Sequence, residues 1–162
     1  MSNITVGISD LNIAKGSDTL VTYALGSCVG ICLYDPVTKV AGLSHIMLPS
    51  STLVPGVVGK TEMKFADTAI VLLLRKMEAA GAGRIRIKAK IAGGAQMFAA
   101  VTGSSIANIG KRNVEAVKST LQSLHIPIIA EDTGKDYGRT VWFPAETGIM
   151  RITSANKGEW LW

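Results

Sequence analysis

The chain has 162 residues, which fits a single domain covering residues 1–162. Hydrophobic residues make up 48% of it and charged residues 18%, a composition that supports a packed core and excludes a disordered chain. The formal charge of +5 favours acidic partners, but the basic residues are too dispersed to indicate binding to nucleic acid.

Cysteine and histidine are scarce in this chain. The cysteines are Cys28 and Cys32, and the histidines are His45 and His125. Their spacing excludes a structural zinc site and a disulfide scaffold, so we expect neither a metal nor a cofactor. The sequence shows no secretory signal pattern and no apolar run of membrane-spanning length, so we expect a cytoplasmic protein without membrane insertion.

The first third of the chain predicts β-strands. Residues 4–8 alternate between apolar and polar side chains, and residues 19–25 are rich in strand-forming types. Two further strands, over 29–34 and 40–48, flank a turn at 35–38, where Asp35 and Pro36 take the preferred first and second positions.

The middle of the chain predicts a loop over 49–60, a helix and another strand. Apolar residues at 66, 70, 73 and 77 follow the helical period, and glycines at 81 and 83 indicate where the helix ends. Residues 84–91 alternate strictly, which predicts a half-buried strand. Its outer face would be basic, with Arg84, Arg86, Lys88 and Lys90.

The last third predicts a second amphipathic helix followed by strands. The helix follows residue 110 and carries Val114, Val117, Leu121 and Leu124 on its apolar face. Strands are predicted over 127–130, 140–143 and 149–153, with a hairpin turn at 145–148. Seven or eight strands and two main helices predict an α+β fold, a layered sandwich of largely antiparallel sheets flanked by the helices.

The hairpin around residue 36 sets which side chains face each other. If the turn closes symmetrically, paired positions sum to 73, so that Cys28 opposes His45 and Cys32 opposes Ala41. Directly opposed residues hold their Cβ atoms about 4.5–5.5 Å apart, close enough for a contact between thiol and imidazole. A bulge would move His45 to the other face, so this prediction depends on a regular hairpin.

A cysteine beside a histidine is the minimum for nucleophilic catalysis. The imidazole takes the thiol proton and the thiolate then attacks an acyl carbon. Backbone N–H groups around Gly26, Ser27 and Val29 are placed to form an oxyanion hole. The hydroxyl of Thr22 is a candidate for the third residue, which orients the imidazole.

Each of these residues also fits a structural role. Cys28 and His45 together fit a buried core pair, because free cysteine often packs as a small hydrophobic side chain. Cys32 is expected to fill the core, and His125 to lie at the end of a helix. Thr22 is also a typical strand residue.

Other motifs in the chain do not indicate a function. The sequence 59–61 (GKT) ends like a phosphate-binding loop, but Val54 stands where the first glycine belongs, so nucleotide binding is excluded. The basic face of residues 84–90 has no interleaved aromatic residues, so nucleic acid is not an expected partner.

Several separated blocks of the chain together form a specific pattern. They are residues 22–30 (TYALGSCVG), 35–36 (DP), 42–49 (GLSHIMLP), 65–67 (FAD), 90–98 (KIAGGAQMF), 108–113 (NIGKRN) and 131–134 (EDTG). This pattern resembles the chemoreceptor glutamine deamidases of the CheD family. The resemblance spans nearly the whole chain, with one departure at Lys135, where the family often has a second glycine.

The resemblance implies a cysteine hydrolase that converts selected glutamines of methyl-accepting chemotaxis receptors to glutamates, releasing ammonia. Carried over by position, Cys28 matches the nucleophile, His45 the general base and Thr22 the orienting residue. It also implies a layered fold similar to bacterial toxin deamidases, and binding to the chemotaxis phosphatase CheC, whose activity rises. The alternatives are a non-catalytic adaptor that acts through the phosphatase, and an acyl transferase that uses an amine as acceptor.

Overall fold

The structure, a computed structural model, describes residues 2–53, 59–97, 108–155 and 157–162. The predicted loop over 49–60 therefore lies partly outside the described residues. Within them the chain forms ten β-strands, two α-helices and three short 3₁₀ segments. The predicted α+β class is confirmed, as is the sandwich arrangement.

Within the described residues, five strands precede the first α-helix, one lies between the two α-helices and four follow the second. In chain order the strands are β1 (Asn3–Thr5), β2 (Asp10–Ala14), β3 (Thr19–Leu25), β4 (Val29–Asp35), β5 (Val40–Ile46), β6 (Lys88–Gly93), β7 (Ile128–Thr133), β8 (Arg139–Pro144), β9 (Arg151–Ser154) and β10 (Gly158–Leu161). The helices are α1 (Ala66–Ala79) and α2 (Ile109–Ser123). Neither has the length and apolar character needed to cross a membrane, among the residues described.

The strands form two five-stranded sheets. One has the order β1-β3-β8-β9-β10 and the other the order β2-β5-β4-β6-β7. Pairing is antiparallel except that β1 runs parallel to β3, and β6 runs parallel to β7. Both helices cover one face of the second sheet, and the first sheet covers its other face. The molecule therefore has three layers: helices, second sheet and first sheet.

Two apolar clusters fill the spaces between these layers. The cluster under the helices includes Val29, Ile31, Leu33, Ile70, Leu73 and Leu121. The cluster between the sheets includes Leu20, Leu25, Cys32, Leu43, Val141 and Phe143. Since β4 and β5 lie at the centre of the second sheet, apolar cover on both faces explains their nearly continuous burial.

The turn between β4 and β5 differs from the predicted turn by two positions. Asp35 pairs with Val40, so paired residues sum to 75 rather than 73. The side-chain carboxylate of Asp35 accepts a hydrogen bond from the Val37 N–H at 2.9 Å, and the backbone carbonyl of Asp35 accepts one from the Lys39 N–H at 2.8 Å. These contacts close a four-residue loop over 36–39, with Lys39 at φ +57°.

The corrected register changes the partners of both cysteines. His45 lies opposite Gly30, not Cys28, and Cys32 lies opposite Leu43, not Ala41. A shift of two residues leaves each side chain on its original face, because side chains alternate with a period of two. Cys28 precedes β4, and both it and His45 are on the side that faces the first sheet.

The predicted strand over 84–91 is wrong in its first half. Arg84–Arg86 is a 3₁₀ turn, and Ile85, predicted to be buried, is 92% exposed. The cause is the buried carboxylate of Asp35, which accepts hydrogen bonds from the Gly83 N–H at 2.7 Å and from Arg86 at 2.8 Å. This ion pair turns the chain before β6 begins.

Candidate active site

A short hydrogen-bonded chain at the interface between the two sheets orients His45. Its Nδ1 lies 2.7 Å from the Thr22 Oγ1, and the Thr22 hydroxyl donates to the Val6 carbonyl at 2.7 Å. A hydroxyl has one hydrogen, so Thr22 accepts from the imidazole, and Nδ1 carries the proton. The neutral ring therefore has its free lone pair on Nε2.

The Nε2 atom of His45 is buried and has no hydrogen-bond partner in the part of the chain that the structure describes. Burial lowers the pKa of His45 to about 4, because the charged ring would lose its hydration. The ring is therefore neutral near pH 7. A neutral imidazole with an unprotonated Nε2 is the state that a general base requires.

Cys28 lies diagonally across the β4–β5 pair from His45. It is two residues before Gly30, the direct partner of His45, and packs partly against the core between the sheets. A Cβ at Gly30 would lie 3.1 Å from Leu25 Cδ1 and 3.7 Å from Thr22 Cγ2, so a larger residue there would crowd the side chains packed on this face. Diagonal neighbours have Cα atoms about 7–8 Å apart, a separation that long or aromatic side chains can span. The predicted contact is not formed in this structure, since His45 Nε2 makes no hydrogen bond to the Cys28 thiol.

The thiol of Cys28 is half-buried and protonated in the resting protein. Burial raises its pKa and outweighs the lowering effect of a backbone hydrogen bond at Cys28 itself. The site at rest is thus a neutral thiol with a neutral imidazole, not an ion pair. For this thiol to act as a nucleophile, its proton would first have to be transferred to a base.

The loop that carries Cys28 is fixed by the end of β6. The Gly94 N–H donates to the Cys28 carbonyl and the Ala95 N–H to the Gly26 carbonyl, each at 2.8 Å. Gly93 has φ +112°, and a Cβ at that position would collide with the Cys28 carbonyl. Only glycine permits this close approach of the two backbones.

The residues predicted to support an oxyanion have different backbone environments. The Gly26 N–H donates to the Ala24 carbonyl at 3.0 Å, in a bulge of β3 where Ala24 has φ +58°. Val29 begins β4 and its side chain is fully buried. The N–H groups of Ser27 and Cys28 have no backbone acceptor among the described residues, so they remain available to donate to a ligand.

The remaining cysteine and histidine lie apart from this arrangement. Cys32 is fully buried in the core between the sheets, and burial strongly raises the pKa of its thiol. His125 follows the end of α2 with φ +59°, and its N–H donates to the Gln122 carbonyl at 3.0 Å. No three metal-ligating side chains gather at any point in the described ranges.

One polar residue at the site was missed by sequence reasoning. The side chain of Asn113 is fully buried on α2, and its amide donates to the Ser27 and Met47 carbonyls, each at 2.9 Å. Its sequence signal is a polar residue on an apolar helix face, four and eight residues before Val117 and Leu121.

Comparison with known proteins places the chain among chemotaxis proteins. The family model described as "CheD chemotactic sensory transduction" matches residues 47–154. A "Chemoreceptor glutamine deamidase CheD" of Halalkalibacterium halodurans is 51% identical over 160 residues, covering 96% of each chain. A "Probable chemoreceptor glutamine deamidase CheD" of Lachnoclostridium phytofermentans is 49% identical, covering 95% of this chain and 94% of that protein.

Proposed function

Because this chain belongs to the CheD family, we propose that it is a glutamine deamidase acting in the cytoplasm on methyl-accepting chemotaxis receptors. Relatives about half identical over nearly their full length are named chemoreceptor glutamine deamidases. The observation that carries the proposal is the hydrogen bond from His45 Nδ1 to Thr22, since it leaves Nε2 unprotonated, and Cys28 packs against the core on the same face of the second sheet.

In the first half of the reaction, the sulfur of Cys28 attacks the side-chain carbonyl carbon of a receptor glutamine. His45 Nε2 takes the thiol proton as the carbon–sulfur bond forms. The negative oxygen of the tetrahedral intermediate accepts hydrogen bonds from the Ser27 and Cys28 N–H groups. The carbon–nitrogen bond then breaks, and His45 gives its proton to the leaving nitrogen, which departs as ammonia.

In the second half, water hydrolyses the thioester. His45 Nε2 takes a proton from the water as its oxygen attacks the thioester carbon. The carbon–sulfur bond breaks, the proton returns to the sulfur, and the receptor side chain leaves as a carboxylic acid, which releases its remaining proton to solvent to give glutamate. Throughout, the Thr22 hydroxyl keeps accepting a hydrogen bond from the Nδ1–H of His45 and keeps donating one to the Val6 carbonyl.

The test is peptide mass spectrometry of a receptor cytoplasmic fragment after incubation with the protein. We expect amide-to-acid conversion at specific glutamines, and none with Cys28→Ala. Cys32→Ala is the matched control, because Cys32 is a second free cysteine, fully buried, with a thiol whose pKa is strongly raised. Conversion that survives Cys28→Ala, or that disappears equally with Cys32→Ala, contradicts the proposal.

The same experiment separates hydrolysis from acyl transfer. Both reactions pass through a thioester on Cys28, and they differ in whether water or an amine attacks it. With a primary amine added, a hydrolase gives glutamate as its main product. An amide of the added amine as the main product would indicate a transferase instead.

Binding to the chemotaxis phosphatase CheC is the second part of the proposed function, and it rests on the family resemblance. Binding of the phosphatase to the surface of this protein does not require a thiol at position 28. We therefore expect Cys28→Ala to bind the phosphatase and raise its activity as the unmodified protein does, in a phosphate-release assay. Absence of binding by the unmodified protein would remove this part and leave the deamidase proposal intact.

A further inference from the structure

The amide of Asn113 joins the two segments that carry the proposed nucleophile and base. One carbonyl that it binds belongs to Ser27, directly before Cys28, and the other belongs to Met47, two residues after His45. Both hydrogens of one amide are used, so the two carbonyl oxygens are held about 5 Å apart. Both bonds are 2.9 Å long, and the side chain has no solvent exposure.

These bonds lie beyond the end of the β4–β5 ladder. The last pair at this end is Val29 with Ile46, so the ladder itself does not hold Ser27 or Met47. The Cys28 loop is otherwise fixed to β6 through Gly94 and Ala95. Among the described residues, Asn113 is thus the direct side-chain link between the Cys28 loop and the chain that leaves β5.

The start of α2 is packed closely enough to hold Asn113 in this position. A Cβ on Gly110 would collide with the Ala95 carbonyl and would lie 2.6 Å from the Gly94 carbonyl. Gly94 itself has φ +67°, and a Cβ there would collide with Val114. The helix is therefore seated on the same turn that binds the Cys28 loop, and Asn113 enters from a rigid support.

From this arrangement we infer that Asn113 is a positioning residue, which sets the separation of the Cys28 sulfur and His45 Nε2 for the proposed reaction. The inference rests on the proposed function. Misplacement of a reacting group by about 1 Å can lower a rate about 100-fold. A merely structural role would lower stability and leave the turnover of the folded protein unchanged.

The test compares variants at Asn113 with a packing control on the same helix. Asn113→Asp keeps the shape of the side chain and removes both N–H donors. Asn113→Ser, with a smaller and uncharged side chain that also lacks the amide, is used if the aspartate variant does not fold. Val117→Ala is the control, since Val117 is buried one turn later in the core under the helices. Deamidation kinetics and thermal melting are measured for each variant.

We expect kcat to fall about 10- to 100-fold in the Asn113 variants, with KM within about threefold. Val117→Ala should lower the melting temperature by about as much as the Asn113 variants do, but it should keep kcat within about twofold of the unmodified protein. A folded Asn113 variant with unchanged kcat overturns the inference. An equal loss of kcat in Val117→Ala also overturns it, because the effect would then come from packing alone.

A second measurement does not depend on deamidation. If Asn113 holds the loop, replacing Asn113 exposes the Cys28 thiol. Alkylation of Cys28 by iodoacetamide then becomes faster, and the apparent pKa of the Cys28 thiol falls towards the ordinary thiol value. An unchanged pH profile of alkylation in Asn113→Ser overturns the inference even if the unmodified protein has no deamidase activity. Such inactivity, combined with a changed profile, would contradict the proposed function and leave the role of Asn113 standing.

Discussion

The hydroxyl of Thr22 determines which nitrogen of His45 is free to accept a proton. Because it donates to Val6 and accepts from Nδ1, it stabilises one tautomer and one ring orientation. Without it, nothing among the described residues distinguishes the two ring nitrogens, since Nε2 has no partner there. The consequence for rate is testable with side chains of nearly the same size.

Thr22→Val removes the hydroxyl and keeps the branched shape. We expect kcat for deamidation to fall about 100-fold, because a base with the proton on the wrong nitrogen cannot accept one from the thiol. Thr22→Ser keeps the hydroxyl and should retain kcat within about threefold. Initial rates of ammonia release measure both, and equal activity of the valine variant would remove Thr22 from the mechanism.

Burial of neutral His45 also makes the stability of the fold depend on pH. The pKa is about 4 in the folded state and about 6.5 when unfolded, so between these values the unfolded state binds more protons. The stabilisation is complete above pH 6.5 and is lost as pH falls towards 4. We expect the free energy of unfolding to fall by about 2 kcal/mol from pH 7 to pH 5.

Urea unfolding at the two pH values measures this change. His45→Gln is the control, because glutamine does not titrate in this range and should show a smaller dependence. An unfolding free energy that is the same at pH 7 and pH 5 in the unmodified protein would mean that His45 keeps an ordinary pKa.

At the level of residues, the sequence predicts which face Cys28 and His45 share better than it predicts which residues lie opposite them. Side chains alternate between the two faces of a strand, so an error of two positions in the register still places Cys28 and His45 on the same face. Asn113 escapes prediction because its partners are backbone carbonyls, and no sequence pattern indicates which carbonyls a buried amide will meet.

Among the elements, the corner formed by Asp35 connects the start of β6 to the β4–β5 hairpin. The carboxylate accepts hydrogen bonds from Gly83, Arg86 and Val37 and has no exposed side-chain surface. The same carboxylate explains why the hairpin has a four-residue loop over 36–39 and why Arg84–Arg86 forms a 3₁₀ turn instead of a strand. A tertiary interaction of this kind overrides the local alternation that predicted a strand over 84–91.

Asp35→Asn keeps the shape of this corner and removes its charge. We expect the free energy of unfolding at pH 7 to fall by about 2 kcal/mol, since a buried acceptor of several N–H donors is replaced in part by a donor. The partner Arg86 is partly exposed, so loss of the ion pair accounts for the smaller share of this fall in the free energy of unfolding. Deamidation should be unchanged, because Asp35 is the last residue of β4 whereas Cys28 precedes the first residue of that strand.

The same corner predicts acid sensitivity. The Arg86 guanidinium holds the pKa of the Asp35 carboxyl well below its usual range. Its stabilisation is therefore present above pH 4 and is lost as pH falls further, towards the folded-state pKa. Urea unfolding of the unmodified protein and Asp35→Asn should converge in this range, and a constant difference down to pH 2 would contradict the assignment.

The long periodic elements are predictable and the short exposed ones are not. Apolar spacing predicts α1 and α2, because both bury a continuous stripe under the second sheet. Strands β2 and β10 are missed, since five and four residues give little pattern and β10 is mostly exposed. The pairing of β2 with β5, which places Asp10 beside His45, follows from tertiary contacts alone.

For the molecule as a whole, the net charge of +5 favours encounter with acidic partners. Three lysines, Lys111, Lys118 and Lys135, and one carboxylate, Glu115, line a cavity that also includes Gly94, whose N–H binds the Cys28 carbonyl. Lys118 is paired with Glu131 at 3.0 Å, so the excess positive charge near the Cys28 loop comes from the other two lysines. A receptor segment with negative charge around the target glutamine would be attracted to this side of the molecule.

We expect kcat/KM for a receptor fragment to fall several-fold as salt rises from about 0.02 M to about 0.3 M, because salt screens this attraction. The rate of Cys28 alkylation by uncharged iodoacetamide is the control and should not change. A kcat/KM that is insensitive to salt would remove the electrostatic contribution and leave the chemistry unaffected.

We propose His45 Nε2 as the base for Cys28, and the turnover of a variant without the imidazole shows whether it has this role. We expect His45→Ala, folded by circular dichroism, to convert receptor glutamines at least about 1000-fold more slowly than the unmodified protein. Conversion at a rate near that of the unmodified protein would contradict the claim.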